Sequence, residues 1–485
     1  MTAKTLREKT INALSWSVVD SVANRLLSLV VAIYLARMLD PHEFGIMGML
    51  SIVVVLASLI VEGGFTSALI QKSSVTNLDM NTVFYVNASV GMLVAILLYA
   101  CSPAIASFYH EPVLVDVAAA MSLMFVIDGF SAVQTAQLMR ELRFMALAMV
   151  SVVSVSVSGL VAILMAKAGY GVWSLVVQQL VRVGLATLCL WFISAWRPAL
   201  EFSTRSFRQM FSYGWRMLAS GTLSTFFDNV YFVVIGRVYG SIDLGHYTRA
   251  DMLQRIPTQS LNQIVNRVTF PVFASIQDQP ERLRSGMRKA LTHLVLINFP
   301  LMAGLALTAE PLVLTLLTDR WLPVVPLLQL LALVGLLYPA HSVNLSLLQA
   351  TGRSDLHLRI AIIKYALVLV NVAVTWRLGI TAMIIGQIAL SFVAYFINAR
   401  YTHGIAGYGI GRQLHDMLPC ALATLAMSAL VLAVAALYIS SPILDLLARV
   451  AGGAVGYAAV CALFRLEAFV EAVQEIRGRL AGRMN

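Results

Sequence analysis

Asp251, Arg255, Gln259, Asn262 and Asn266 recur every three or four residues, with Gln263 and Arg267 on an adjacent strip. That spacing sets side chains on one face of a helix. Two other segments carry similar stripes: Ser21, Asn24, Arg25 and Ser28 in one, and Arg216, Ser220, Ser224 and Asp228, four apart, in the other, with Thr225 and Asn229 alongside. Lipid gives charged side chains no partner, so in an apolar segment they face a water-filled cavity or another helix. The chemistry on offer is binding. Arginine presents a fork of N–H donors that matches phosphate geometry. A cavity lined by Arg25, Arg255 and Arg267 favours an anion, and Asn24, Ser28, Ser224, Asp228, Gln259 and Asn262 complete the expected substrate-binding set. Glu62, Asp128 and Asp228 are carboxylates that can take up a proton or cation and so couple binding to an ion gradient. Asp20, Arg182, His341 and Lys364 stand as isolated ionisable residues. The plainer reading is structural: the same arginines and Lys364 can snorkel to an interface or pair with Glu62, Asp228 or Asp251. Ser151, Ser154 and Ser158 read as a helix-packing stripe, and His341 as a satisfied polar residue.

The elements that carry these residues must be membrane helices. The chain has 485 residues, of which 59% are hydrophobic and 12% charged, and its mean hydropathy is +0.81. A soluble fold cannot bury so much apolar surface. Apolar stretches of helix-spanning length recur at 16–37, 44–64, 82–102, 114–135, 148–166, 171–195, 214–238, 246–271, 290–310, 324–349, 358–376, 379–399, 416–438 and 443–464. The 246–271 stretch is the least apolar and is retained because of an internal repeat. Arg37 is followed by Glu43, Phe44 and Gly45, and Arg237 by Asp243, Leu244 and Gly245, an offset of 200. The expected fold class is an all-α integral membrane protein of about 14 transmembrane helices. Two pseudo-symmetric six-helix lobes, 1–200 and 201–410, form parallel repeats, and 411–485 holds helices 13 and 14 with a cytoplasmic tail. Pro257 is expected to kink or open the eighth helix.

The net charge of +10 is unevenly spread. With an even number of spans, one side carries Lys4, Arg7, Lys9, Arg140, Arg143, Arg197, Arg205, Arg282, Arg284, Arg288, Arg353, Arg412 and Arg477 among others, and the opposite side only Arg37, Lys167, Arg237, Arg320 and Arg377. By the positive-inside rule both termini are cytoplasmic, and the charge is not a nucleic-acid footprint. Residues 5–14 read as a helix lying on that surface, and no cleavable signal peptide is read. Cys101, Cys189, Cys420 and Cys461 have no metal or redox spacing. No Gly-rich phosphate loop appears, so no cofactor is expected.

The sequence resembles the polysaccharide-transport branch of the multidrug/oligosaccharidyl-lipid/polysaccharide exporter superfamily, near the Wzx-type lipopolysaccharide and exopolysaccharide flippases. The residues that carry this are Ala36-Arg37-Met-Leu-Asp-Pro-His-Glu-Phe-Gly45, Glu62-Gly-Gly-Phe65, Gly245-His-Tyr-Thr-Arg-Ala250, Val268-Thr-Phe-Pro271, Pro300-Leu-Met-Ala-Gly-Leu305 and Leu347-Leu-Gln-Ala-Thr-Gly352. The resemblance implies a fourteen-helix exporter of the bacterial inner membrane that alternates between inward-open and outward-open forms. It implies a polyprenyl-diphosphate-linked oligosaccharide as substrate, a polysaccharide polymerase and export machinery as partners, and Arg25 and Arg255 lining the cavity. Two alternatives stay open. A drug or organic-cation antiporter would use Asp20, Asp128 and Asp228. A membrane glycosyltransferase would need larger outer loops than 39–43, 239–245 and 318–323 provide.

Overall fold

The computed structural model describes residues 23–481, and every regular element among them is a helix. The surface helix expected over 5–14, with Asp20 and Ser21, lies outside the described residues. The chain divides into two compact units, one up to Gly245 and one from His246. The first holds α1 (23–38), α2 (Pro41–Glu62), α3 (Phe65–Gln71), α4 (Asn77–Tyr109), α5 (Leu114–Gly129), α6 (Ala132–Arg140), α7 (Phe144–Lys167), α8 (Val172–Ile193), α9 (Thr204–Val238) and the first turn of α10 (Ser241–Ile264). The second takes the rest of α10, a π-helical segment over Val265–Thr269, α11 (Phe270–Ser275), α12 (Pro280–Leu307), α13 (Ala309–Leu316), α14 (Val324–Leu336), α15 (Tyr338–Ala350), α16 (Ser354–Thr375), α17 (Ile380–Ala406), α18 (Ile410–Ala435), α19 (Pro442–Leu463) and α20 (Glu467–Ala481).

A helix covers the described part of each of the fourteen apolar stretches. Among the described residues, 11 helices are long and apolar enough to cross a membrane, or 12 if α5 and α6, bent by 42°, form one span. The chain is a multi-pass membrane protein. The stretches outside that count are α1, whose beginning is not described, and α10 with its extension, which is too polar. Pro257 does not break α10, which runs on to Ile264. The irregularity falls instead at Val265–Thr269, just ahead of Pro271. Proline has no N–H for the carbonyl four residues back, here that of Arg267, and a π-segment is one way to shift the register past it.

The repeat pattern is a helix corner used twice. Arg37 and Arg237 lie in the last turns of α1 and α9, and Glu43 and Asp243 in the first turns of α2 and α10. Each charge suits the partial charge of its helix end. Phe44 and Leu244 are buried. The glycines allow the two corners to meet. A Cβ on Gly45 would fall on the Ser241 carbonyl, and one on Gly245 would fall on the Pro41 carbonyl. Ser241 precedes Gly245 by four residues, as Pro41 precedes Gly45, so the contact is reciprocal and a local twofold axis runs between the corners. Glu111, just past α4, ties the copies together: it accepts from Ser241 Oγ at 2.6 Å and lies 3.6 Å from His42 Nε2. At its other end α2 turns into α3 through Gly63 and Gly64, both left-handed at φ 55° and 69°. There Gly64 and Gly214 of α9 approach backbone to backbone, and buried Phe65 stacks on Phe207 at 5.8 Å.

Inside a membrane each backbone carbonyl freed by proline needs a donor from the protein. Three prolines have one. Pro103 frees the Tyr99 carbonyl, which accepts from Ser102 Oγ at 2.8 Å. Pro300 frees that of Leu296, which accepts from the Tyr457 hydroxyl at 2.9 Å. Pro339 frees that of Gly335, which accepts from Asn298 Nδ2 at 3.1 Å, while the same amide donates to Leu336 O at 2.9 Å. The second unit also holds a buried chain of side-chain bonds. Thr402 Oγ1 donates to Asn344 Oδ1, Asn344 and Gln413 exchange amide bonds, and Gln413 donates to Tyr408 O. The Tyr408 hydroxyl in turn donates to Asp416 at 2.6 Å. Burial, with the Asp416 carboxylate adding to it, pushes the Tyr408 phenol upward, which keeps it protonated as a donor.

Gly45→Ala drives a methyl into a carbonyl and is expected to lower stability by about 1–3 kcal/mol. Gly304→Ala, in a helix with open space around it, should be neutral or gain up to about 1 kcal/mol. Melting of the detergent-solubilised variants compares the two, and equal effects would dismiss the corner contact. Tyr457→Phe removes the hydroxyl that donates to the Leu296 carbonyl and is expected to cost about 1 kcal/mol in the same assay.

Candidate functional site

In the first unit, α2, α5 and α8 pack against one another and collect charges that lie far apart in sequence. Glu62 ends α2, Asp128 lies in the last turn of α5, and Arg182 lies midway along α8. Glu62 and Asp128 are close enough for their charges to interact, as are Asp128 and Arg182, and Ser131 Oγ donates to the Asp128 backbone carbonyl at 3.0 Å. The bend after Gly129 fixes Asp128: the Phe130 carbonyl accepts from Trp191 Nε1 at 3.0 Å, and the Ile127 carbonyl from Thr187 Oγ1 at 3.4 Å. Gly129 is backed directly by the Asn87 carbonyl of α4. The sequence marked Arg182 only as isolated, because a charge partner 54 residues away leaves no local spacing to read.

The other expected residues of this unit lie on α1 and α9. Asn24 and Arg25 are half-buried and Ser28 exposed on α1, which packs on α7 where Gly159 leaves room for Val31. On α9, Arg216, Ser220 and Asp228 are exposed and Ser224 half-buried. Ser224 Oγ donates to Gly221 O at 3.0 Å, and Asn229 to Thr225 O at 2.8 Å. The serine stripe of α7 is a packing surface: Ser154 and Ser158 are buried and bond back to their own helix.

In the second unit α10 carries the strongest stripe. Arg255 Nε lies 2.6 Å from Asp251 Oδ2, one turn away, with the aspartate largely buried and the arginine side chain 42% exposed. Arg255 therefore presents its charge with a carboxylate already beneath it. Arg267, in the π-segment, is exposed. The side chains of Gln259 and Asn262 lie outside the described residues. Arg249 sits over the Trp321 ring, 5.9 Å from its centroid, with Met252 Sδ at 3.3 Å. His341 is satisfied: its ring nitrogens meet Ser391 Oγ at 3.2 Å and Asn398 Nδ2 at 3.1 Å, between α15 and α17.

The buried Asp251 depends on Arg255 for compensation. Asp251→Asn alone is expected to destabilise the chain. Adding Arg255→Gln should cost less than the sum of the single changes, with a coupling of about 1–3 kcal/mol. Strict additivity in a thermal-melting cycle would mean that the pair is not coupled.

The family described as "Polysaccharide biosynthesis protein" matches residues 34–326. The chain is 28% identical over 399 residues to the lipopolysaccharide biosynthesis protein WzxC of Escherichia coli (strain K12), covering 81% of each chain. It is 29% identical over 337 residues to the succinoglycan biosynthesis transport protein ExoT of Rhizobium meliloti (strain 1021), covering 69% of this chain and 68% of that one. Among solved structures it is similar to the lipid II flippase MurJ in an inward closed conformation. The TM-score is 0.75 at 14% identity, over 92% of this chain and 98% of that one. It is also similar to an inward-facing multidrug resistance MATE family transporter of the MOP superfamily, with a TM-score of 0.58 at 15% identity over 80% and 96%. At these identities the structures speak for the fold alone. The motifs from Arg37 to Leu305 fall inside the matched stretch, and the chain belongs to the polysaccharide biosynthesis protein family, with the fold of the exporter superfamily its motifs resemble.

Proposed function

We propose that this protein flips a polyprenyl-diphosphate-linked oligosaccharide, a precursor of lipopolysaccharide, exopolysaccharide or capsule, across the bacterial inner membrane by alternating access. The observation that carries the reading is the stripe on α9: Arg216, Ser220 and Asp228 are exposed on a helix of membrane-spanning length, and side chains of this kind mark a water-filled path. Relatives named for lipopolysaccharide and succinoglycan synthesis support the substrate class. The fold shared with a lipid II flippase supports movement of a lipid-linked sugar.

In this reading α1 and α10 also span, giving fourteen helices in two six-helix lobes, 1–200 and 201–410, followed by helices 13 and 14, with both termini cytoplasmic. Asn24, Arg25, Ser28, Ser224, Asp228, Arg255, Gln259, Asn262 and Arg267 line the path. The arginines meet the diphosphate, while the lipid tail stays in the bilayer. Asp251 tempers Arg255, so an anion is held without being trapped. Glu62 and Asp128 beside Arg182 leave one surplus negative charge, which a proton can neutralise as the path switches sides. The reciprocal glycine corner serves as the closure at the outer end of α2. A polymerase and export machinery would take the delivered precursor. The organic-cation antiporter remains the second reading. It is disfavoured because Arg182 sits within charge range of Asp128, where an organic cation would have to compete with a fixed one.

Deleting the gene in its own host should accumulate lipid-linked oligosaccharide on the cytoplasmic leaflet and abolish surface polymer. Arg25→Ala and Arg255→Ala, expressed at normal levels, should not restore it. In vesicles, flux should respond to a pH gradient or membrane potential. Normal polysaccharide with raised sensitivity to cationic dyes would transfer the function to the antiporter.

A further inference from the structure

At the arginine-rich end of the second unit a cavity of about 630 Å³ opens between α12 and α18. Its wall carries Arg284, Arg288, Arg412 and His415 against Glu281 and Asp416. Asp416 is already engaged by the Tyr408 hydroxyl at 2.6 Å and by Arg288 at 3.3 Å, and Arg288 also pairs with Glu467 of α20 at 2.7 Å. Those three charges hold one another. Arg284 and Arg412 are left opposite Glu281 alone, with His415 adding charge when protonated. Both arginines are exposed, and each anchors itself by one N–H on the turn after α17: Arg284 Nε donates to Ala406 O at 3.2 Å and Arg412 Nη1 to Gly407 O at 3.1 Å. Neither has an ion pair among the described residues. A guanidinium has five N–H donors, so each fork keeps donors for an anion while its position is fixed.

The face of α18 below the cavity shows what kind of anion fits. Gly411 and His415 line the cavity, and Leu414, Leu418, Leu422 and Leu425 follow on the same side at helical spacing. All four leucines are exposed, the last at 65%. From Leu414 to Leu425 the rise is roughly 16 Å at 1.5 Å per residue, the scale of an acyl chain. The opposite face of α18, with Gln413, Met417, Cys420 and Met427, is buried. A basic cavity at a membrane surface that continues into an exposed apolar rail fits a lipid with a charged head.

We propose that this cavity is a binding site for the phosphate headgroup of an anionic membrane lipid, held by Arg284 and Arg412, with one tail lying along the leucines of α18. The site shares no residue with the polar stripes of α1, α9 and α10. The proposal rests on the chain lying in a membrane and not on what it carries, so it can fail while the flippase reading stands, and the reverse.

The test uses the full-length protein in nanodiscs of phosphatidylcholine containing phosphatidylglycerol, with retained lipid read by native mass spectrometry. Farnesyl diphosphate and inorganic diphosphate serve as competitors. The wild-type chain should retain phosphatidylglycerol, and Arg284→Gln with Arg412→Gln should weaken retention at least tenfold. Arg282→Gln, which removes a nearby exposed charge outside the cavity, should change it less than twofold. The double Lys variant keeps the charge without the fork and should retain lipid at an intermediate level, with unchanged melting in neutral detergent showing that the turn still folds. Displacement by farnesyl diphosphate but not by inorganic diphosphate would assign the head to a prenyl diphosphate, and no displacement by either to bulk phospholipid. Either result upholds a lipid site. Equal retention in the double Gln and Arg282→Gln variants, or displacement by inorganic diphosphate as effective as by the lipid probe, would overturn it.

Discussion

Two glycines, Gly45 and Gly245, let the starts of α2 and α10 lie backbone against backbone, and the arrangement of the first unit follows from that approach. No other residue fits, because any Cβ would occupy the space of a carbonyl. The contact is reciprocal, so neither corner can move without shifting the other by an equivalent amount. Glu111 reinforces it from a third helix by bridging Ser241 and His42. At its far end α2 is fastened to α9 by the Gly64–Gly214 approach. A helix held at both ends by backbone contact behaves as a rigid strut, and Glu62, at the end of that strut, is held within charge range of Asp128.

The surrounding lipid sets the second constraint. Water cannot satisfy a carbonyl in a bilayer core, so each break in a helix ladder calls for an internal donor. Ser102, Asn298 and Tyr457 supply those donors at three proline sites. The helices of this protein can therefore bend without exposing backbone. Asn298 bonds both carbonyls at the α14–α15 break, and Tyr457 ties α19 to the proline-bearing α12.

Charge in the membrane segments is arranged in compensated groups. Arg255 pairs with Asp251 at 2.6 Å, and Arg182 lies within charge range of Asp128. A bare arginine would hold an anion too tightly to release it, and a bare carboxylate would stay protonated in lipid. The Asp251–Arg255 pair is neutral, whereas Glu62, Asp128 and Arg182 together carry one surplus negative charge when ionised.

The sequence alone determined the class of molecule. Its hydropathy placed fourteen helical stretches, and its 200-residue offset revealed the repeat, because lipid solvation and helix-end chemistry act on neighbouring residues and leave local patterns. It also marked the polar faces of α1, α9 and α10, since helical spacing is a local property. It misplaced the irregularity of α10, assigning it to Pro257, because a proline inside a helix can be tolerated and only the packed structure selects where the ladder yields, here before Pro271. Tertiary structure alone decided that the repeated glycines face each other, that Asp128 lies within charge range of both Glu62 and Arg182, and that Asn298 and Tyr457 donate to proline-freed carbonyls 37 and 161 residues away. These are contacts between residues distant in the chain. Their energies depend on packing in three dimensions, and no spacing along one dimension records them.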